Sequence, residues 1–160
     1  MQIRARRNSY GKKVVKVVFS GGPCSGKSSS VAHVKERIQE KYGDQWKCYT
    51  VAEAASVLNS TSRVSAAELI GPCLKHWQRD MLECVRMFEK VYDDLASMEP
   101  ARHTIIFCDG ATLDAKVSTP RLMWPQIMDE MGTSERQLMA SYDLVLVLHT
   151  APNISETNSI

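Results

Sequence analysis

The chain has 160 residues, 44% of them hydrophobic and 24% charged, and its formal net charge at pH 7 is +2. This length accommodates one domain with a hydrophobic core and leaves no room for a second domain of ordinary size. The composition is that of a globular protein, and the small net charge gives no general attraction to nucleic acid, so we expect no nucleic-acid partner.

The cysteines and the hydropathy of the chain further restrict the class of protein to which it can belong. The five cysteines include no Cys-x-x-Cys pair, which argues against a disulfide framework or a zinc site and favours a reducing compartment. The apolar run at residues 14–19 is too short for a signal peptide or a membrane span. We therefore expect a cytoplasmic protein without a transmembrane segment.

Basic residues are concentrated in and just after the N-terminal segment of residues 1–13, which we call the basic arm. No acidic residue lies near them in the sequence: they are Arg4, Arg6, Arg7, Lys12, Lys13 and Lys16. Such an arm is either a solvated tail or a segment that binds anionic lipid or RNA by releasing counterions. We expect the folded domain over residues 14–151 and a polar tail over residues 152–160.

Hydrophobic patterning in the first third of the chain alternates between strand and helix. Residues 14–19 are β-branched and almost continuously apolar, which predicts a buried parallel strand. After a glycine-rich turn, apolar residues recur at intervals of three or four and predict a helix over residues 27–42, with Gly43 as its stop. The pattern then predicts a second strand over residues 46–51, a helix over residues 52–58 and a loop over residues 60–62.

The longest predicted element is a helix over residues 66–98, with Gly71-Pro72 as a point where it can break. Its apolar residues form one helical stripe, which we interpret as a face packed in the core: Leu74, Trp77, Met81, Cys84, Phe88, Val91 and Leu95. The remaining elements are a third strand over residues 104–110, helices over residues 122–131 and 134–141, and a fourth strand over residues 143–149. Strands that alternate with helices predict a parallel sheet covered by helices on both faces.

The strongest functional motif lies between the first strand and the first helix. Residues 21–28 read Gly-Gly-Pro-Cys-Ser-Gly-Lys-Ser, a complete match to the P-loop pattern G-x-x-x-x-G-K-S. Its glycines let backbone amides point inward around phosphates, its lysine faces the β- and γ-phosphates, and its serine offers a hydroxyl to Mg²⁺. The dipole of the following helix attracts the same anion. The predicted nucleotide-binding residues are Gly21, Gly22, Pro23, Cys24, Ser25, Gly26, Lys27, Ser28 and Ser29.

Two acidic residues follow predicted strands at the sheet edge that faces the ligand crevice in such folds. Asp109 can hold Mg²⁺ or accept a proton from an attacking hydroxyl, or it can be a simple turn residue before Gly110. Glu53 can orient a substrate hydroxyl, or it can be a solvated residue that is favourable with a helix dipole. We predict Lys27, Asp109 and Glu53 as catalytic residues, Ser28 and Asp109 as metal ligands, and Asp114 as a cap of the next helix.

Several segments together resemble a known family. They are the P-loop with its Gly-Pro-Cys, the Val-x-Glu-Ala-Ala of residues 51–55, and Phe-Cys-Asp at residues 107–109 followed by Leu-Asp-Ala. This combination resembles the AAA-type P-loop family that includes the ribosylnicotinamide kinase domains of bacterial NAD regulators, and more closely its eukaryotic TRP-channel translocation-defect proteins. The resemblance implies a kinase-like Rossmann core with strand order 2-3-1-4-5, a nucleotide with Mg²⁺ at Lys27, Ser28 and Asp109, and Glu53 near the acceptor pocket.

The chain departs from this family in two respects. Family members often carry Asp-Arg-Gly where this chain has Asp109-Gly110-Ala111, so the arginine that would contact substrate or phosphate is missing at that position. The resemblance also places lid arginines, a base-binding loop and a fifth strand beyond Ile160, so we expect the C-terminal part of the domain to be missing. A guanine-specificity motif would fall in the same region, which leaves ATP and GTP equally open.

Three functions are compatible with these features. The first is Mg²⁺-dependent phosphoryl transfer from ATP or GTP to a small hydroxylated acceptor, or slowly to water. The second is a binding or trafficking switch with little turnover, in which the γ-phosphate orders loops such as residues 60–65 that contact a protein partner. The third is a binder of phosphoinositides at a membrane surface through the basic arm. The sequence favours an enzyme without deciding the point.

Overall fold

The computed structural model describes residues 5–62 and 68–150, with the backbone alone described at residues 59–62. Its strands are β1 (Arg6–Arg7), β2 (Lys13–Gly21), β3 (Trp46–Val51), β4 (His103–Asp109) and β5 (Leu144–Leu148). Its helices are α1 (Lys27–Tyr42), α2 (Ala54–Ser62), α3 (Gly71–Ser97), α4 (Ala115–Ser118), α5 (Trp124–Glu130) and α6 (Glu135–Met139), and a 3-10 turn covers Thr112–Asp114. The predicted tail and the first four residues of the basic arm lie outside the described residues.

Four of the strands form a parallel sheet around β2. β4 and β5 pair with the two edges of β2, and β3 lies outside β4. This order, β3-β4-β2-β5, is the one that the family resemblance implies for its first four strands. Because these strands run in the same direction, their carboxyl ends meet at one edge, where β2 leads into the P-loop and β4 ends at Asp109.

A short strand that the sequence analysis does not predict makes the sheet mixed. β1 pairs antiparallel with the start of β2, where Arg7 lies opposite Lys13. Just after β1, the Asn8 amide donates hydrogen bonds of 2.9 and 2.8 Å to the carbonyl oxygens of Ala96 and Glu99, at the end of α3. From residue 5 onward, the basic arm therefore contacts the domain rather than forming a solvated tail.

Helices cover both faces of the sheet, as predicted. The pleat of β2 directs alternate side chains to opposite faces. On one face Val18 packs in a cluster with Ala96 of α3, and on the other Phe19 packs in a cluster with Val31 of α1. A third cluster around Leu82 joins α3 to α5 and α6. The prediction of an α/β domain with helices on both faces is confirmed.

Three helix boundaries differ from the predictions. α2 continues through Ser62, so the predicted loop at residues 60–62 is wrong; the serines and threonine there do not by themselves end a helix. α3 begins at Gly71, since Pro72 fits the first helical turn, where a missing N–H costs nothing. Residues 66–67 of the predicted helix lie outside the described part of the chain. α5 and α6 are shorter than predicted, because helix ends carry weak signals in sequence.

The buried face of α3 also differs from the predicted apolar stripe. Val91 and Leu95 belong to that stripe but are exposed at 51% and 40%, whereas the polar residues Gln78 and Glu89 are buried. The helix therefore presents two polar side chains to the interior, and each requires an explanation of its own.

Glu89 belongs to a charged group between β2 and α3, which we call the Lys16 cluster: Lys16, Glu89, Asp93 and Tyr142. Lys16 is 2% exposed, and its ammonium donates to Asp93 and, at 3.2 Å, to Glu89. The Tyr142 hydroxyl donates to the other oxygen of Glu89 at 2.6 Å. Burial, reinforced by the charge of Glu89, raises the pKa of the Tyr142 phenol, which keeps it a donor. Lys16 is thus paired with acids that lie 73 and 77 residues away in the sequence.

Candidate nucleotide-binding site

A cavity of about 1060 Å³ lies at the carboxyl edge of the parallel sheet. Residues 20–29 form one side of it, the segments that follow β3 and β4 form another, and α3 contributes a third. Small-molecule sites commonly measure about 300–1,000 Å³, so this cavity has room for more than a phosphate tail. It is lined by all the residues predicted for the site: Gly21, Gly22, Pro23, Cys24, Ser25, Gly26, Lys27, Ser28, Ser29, Glu53 and Asp109.

Left-handed backbone angles bend the P-loop between β2 and α1. Gly26, the residue before α1, has φ of 84°, and Cys24 has φ of 59° although it is not a glycine. Residues of this kind form concave nests of backbone amides that hold anions. The first amides of α1 add to the nest, because the first turn of a helix has no internal acceptors for them. The loop thus has the backbone form that phosphate binding requires.

The Lys27 ammonium lies against the P-loop itself. It donates to the carbonyl oxygens of Gly21 and Gly22 at 2.8 and 3.1 Å. Both acceptors are neutral, and a phosphate oxygen is a stronger acceptor for an ammonium group than a carbonyl is. The Lys27 ammonium therefore lies against the P-loop, in a position from which it can bind the phosphates of a nucleotide.

Asp109 meets the requirement for a magnesium ligand. Its Oδ1 atom is buried and has no hydrogen-bond partner among the described residues, and the same holds for Ser25 Oγ. Carboxylate and hydroxyl oxygens are the ligands that Mg²⁺ prefers, and this ion takes few protein ligands beside phosphate and water. Within residues 5–62 and 68–150, no three His, Cys, Asp or Glu side chains form a metal-binding group. The oxygen atoms of Asp109 and Ser28 therefore fit a Mg²⁺ ion whose other ligands are phosphate and water.

Glu53 lies beside Gly110, which directly follows Asp109. A Cβ atom on Gly110 would lie 3.7 Å from Glu53 Cγ and 3.9 Å from Asp114 Oδ2, and Gly110 has φ of 102°. Ser56 donates a hydrogen bond to the Glu53 carboxylate, and the Glu53 carbonyl oxygen accepts from the Val57 amide. Glu53 thus immediately precedes α2 and lines the cavity, and its role toward a substrate hydroxyl stays a prediction.

Asp114 does not act as the predicted cap of the helix that follows it. Its side chain makes no capping hydrogen bond to α4. One carboxylate oxygen accepts from the Ser20 hydroxyl at 2.6 Å, and the other accepts from the Ala111 amide at 2.8 Å. Asp114 therefore joins the end of β2, next to the P-loop, to the segment that follows Asp109.

Several residues that line the cavity were not predicted as site residues, and three of them are polar or aromatic side chains close to the predicted set in the lining. Ser20, Trp77 and Gln78 line the cavity beside the predicted site residues. Trp77 was assigned to the core stripe of the long helix, and Gln78 has no spacing motif that distinguishes it from a surface residue. A sequence signal was present only for Ser20, which immediately precedes the P-loop.

Comparison with protein-family models gives a match to a family described as AAA domain, over residues 16–159. The match includes the P-loop, Glu53 and Asp109. The chain belongs to this AAA domain family. P-loop AAA domains generally bind nucleotide with Mg²⁺, and the P-loop of this chain lines the cavity at the edge of the sheet.

Other comparisons add little to this assignment. No curated protein matches this chain in sequence. Among solved structures, a chain described as the crystal structure of APE1195 is similar at 17% sequence identity and a TM-score of 0.37, over 91% of this chain and 88% of that chain. At that TM-score the similarity supports no statement about function. Across the described ranges, no helix combines the length and apolar character needed to cross a membrane.

Proposed function

We propose that this AAA domain catalyses Mg²⁺-dependent phosphoryl transfer from ATP or GTP to a small hydroxylated acceptor. The observation that carries the proposal is the unpartnered, buried Oδ1 of Asp109 in the same cavity as the P-loop and Glu53. Phosphoryl transfer depends on positioning and charge neutralisation, and these residues supply both. The closer resemblance to ribosylnicotinamide kinase domains and translocation-defect proteins stays a prediction.

Each residue has a defined part in the proposed reaction. The P-loop amides and Lys27 hold the β- and γ-phosphates. Ser28 and Asp109 would hold Mg²⁺, which would neutralise charge on the phosphates. Glu53 orients the acceptor hydroxyl by accepting a hydrogen bond from it. The hydroxyl oxygen forms a bond to the γ-phosphorus, the bond to the β,γ-bridging oxygen breaks, and the diphosphate leaves with that electron pair. The hydroxyl proton passes to the Glu53 carboxylate.

A nucleotide-dependent switch is the second candidate, and one observation favours it. Lys27 is the sole cationic side chain among the described residues that line the cavity. An added arginine typically raises the rate of phosphoryl transfer by roughly 10³ to 10⁵, so a site without one turns over slowly. In this case the γ-phosphate would order segments near the cavity that contact a protein or phosphoinositide partner, and hydrolysis would be rare.

Replacing Asp109 by asparagine tests the two candidates. We expect Asp109→Asn to leave triphosphate binding within about tenfold of the parent protein, because the P-loop remains, and to abolish acceptor-dependent release of ADP or GDP. Isothermal titration measures the binding and a coupled assay measures the release. The matched control is Asp129→Asn, an exposed acid of α5 outside the cavity. Slow release in the parent protein that no acceptor accelerates would contradict the kinase and favour the switch.

A further inference from the structure

The cavity extends beyond the P-loop to a second region, which we call the acceptor subsite. Its wall on the α3 side consists of Trp77, Gln78, Met81 and Val85, and its opposite wall is the start of α2 with Glu53 and Ser56. Five of these residues come from α2 and α3, which pack against each other, and Glu53 immediately precedes α2. The region therefore has an apolar body with a few polar groups, which is the usual character of a small-molecule site.

Gln78 is the distinctive polar group of the acceptor subsite. It is only 4% exposed, and its amide has no hydrogen-bond partner within the part of the chain that the structure describes. Its neighbours on the helix differ in this respect, because Lys75 and Arg79 both pair with Glu130 of α5. Gln78 is not among the fully buried side-chain atoms without a partner, so its amide is open to the cavity, where a ligand can supply the missing hydrogen bond.

The charges around the cavity restrict what this ligand can be. Lys27, the one cation in the described lining, lies at the P-loop end, where it donates to Gly21 and Gly22. Glu53, Asp109 and Asp114 line the same cavity. A phosphate or carboxylate on the acceptor would face these acids with no further cationic side chain among the described lining residues.

We propose that the acceptor subsite binds a hydroxyl-bearing molecule without anionic groups, and that Gln78 selects it by hydrogen bonding to a polar group other than the reacting hydroxyl. A glutamine amide both donates and accepts, so it fits a hydroxyl or an amide of the ligand. Trp77, Met81 and Val85 contact the apolar body of the same molecule. The inference rests on the proposed phosphoryl transfer and names the substrate class for it.

Matched pairs of neutral and phosphorylated probes test whether the acceptor subsite excludes anionic ligands. The pairs are glycerol with glycerol 3-phosphate, ribose with ribose 5-phosphate, and uridine with uridine 5′-monophosphate, each added to the full chain with bound Mg²⁺ and triphosphate. We expect at least one neutral member to bind, and to bind about tenfold or more tightly than its phosphorylated partner in isothermal titration. Tighter binding of the phosphorylated members, or no binding of any neutral member, would overturn the inference. Failure to bind ATP or GTP would instead remove the proposed function itself.

Replacement of Gln78 by leucine tests its role separately. Because Gln78 has no hydrogen-bond partner among the described residues, Gln78→Leu should keep or raise the melting temperature, while the affinity for the neutral probe falls about tenfold. Gln126→Leu, an exposed glutamine of α5 away from the cavity, is the matched control and should change neither quantity. A lower melting temperature with unchanged probe affinity would show that Gln78 is structural and would overturn the proposal.

Discussion

Gly21 shows how a single residue connects the P-loop to the rest of the sheet. Its φ of 146° is available to glycine but not to other residues without strain, and a Cβ atom at this position would lie 2.3 Å from the carbonyl oxygen of Leu148 in β5. Gly26 also has a positive φ, but a Cβ atom there would meet nothing within 4 Å. The first glycine is therefore fixed by packing and backbone angle together, and the second by backbone angle alone.

This difference predicts unequal costs for two alanine substitutions. Gly26→Ala should lower the free energy of unfolding by about 1–2 kcal/mol, the usual cost of a left-handed alanine. Gly21→Ala should lower it by about 3 kcal/mol or more, because a backbone shift is added to the strain. Urea unfolding without nucleotide measures both values. Equal losses in the two variants would contradict the contact with Leu148.

The P-loop was predictable at the residue scale, and Gln78 and Asp114 were not. The spacing of two glycines, a lysine and a serine specifies phosphate chemistry by itself. The role of Asp114 depends on Ser20, which is 94 residues away in the sequence. The role proposed for Gln78 depends on the absence of a hydrogen-bond partner among the described residues, which only a packed structure can reveal. Sequence patterns describe neighbours along the chain, whereas these two roles come from neighbours in space.

At the scale of elements, the Lys16 cluster fixes the position of α3 against the central strand. Lys16 lies between Val14 and Val18 on the face of β2 that α3 covers, and all three are buried. Its ammonium reaches Glu89 and Asp93 on α3. The same Glu89 lines the cavity at the edge of the sheet, so the cluster joins the P-loop strand to the helix that forms part of the cavity wall.

Removing one charged partner from the Lys16 cluster should lower the free energy of unfolding substantially. Lys16→Met leaves the buried Glu89 without its cation, and loss of one partner of a buried pair typically costs about 3–5 kcal/mol of unfolding free energy. The double variant Lys16→Met with Glu89→Gln should recover part of this loss, since no charge then remains unpaired at residue 89. Equilibrium denaturation measures the coupling between the two positions.

An exposed pair on the same helix provides the control. Lys90 and Asp94 form an ion pair with side chains 71% and 59% exposed, so Lys90→Met should cost less than about 1 kcal/mol. If Lys16→Met and Lys90→Met had equal effects, the buried cluster would not stabilise the packing of α3. The sequence predicted α3 from its periodicity but could not predict this face, because Lys16 and Glu89 are 73 residues apart.

At the scale of the whole molecule, the alternation of strands and helices was sufficient to predict the architecture. A continuous β-branched run predicted the first parallel strand, the pattern of the chain predicted the other three, and the family resemblance implied their order in the sheet. β1 was missed because two residues are too few to show a periodicity. The carboxyl edge of the sheet then brings together residues from distant segments, so the location of the site follows from the topology even where its individual contacts do not.

The central claim is that the P-loop of this AAA domain binds a nucleoside triphosphate and that Lys27 contacts its phosphates. Isothermal titration of Mg²⁺-ATP and Mg²⁺-GTP into the parent protein and Lys27→Ala tests it most directly, with Lys41→Ala, an exposed lysine at the other end of α1, as the matched control. We predict that the parent and Lys41→Ala bind at least one of the two nucleotides with the same affinity, and that Lys27→Ala loses about 100-fold or more, as removal of a charge-assisted contact would cause. Unchanged affinity in Lys27→Ala would contradict the account.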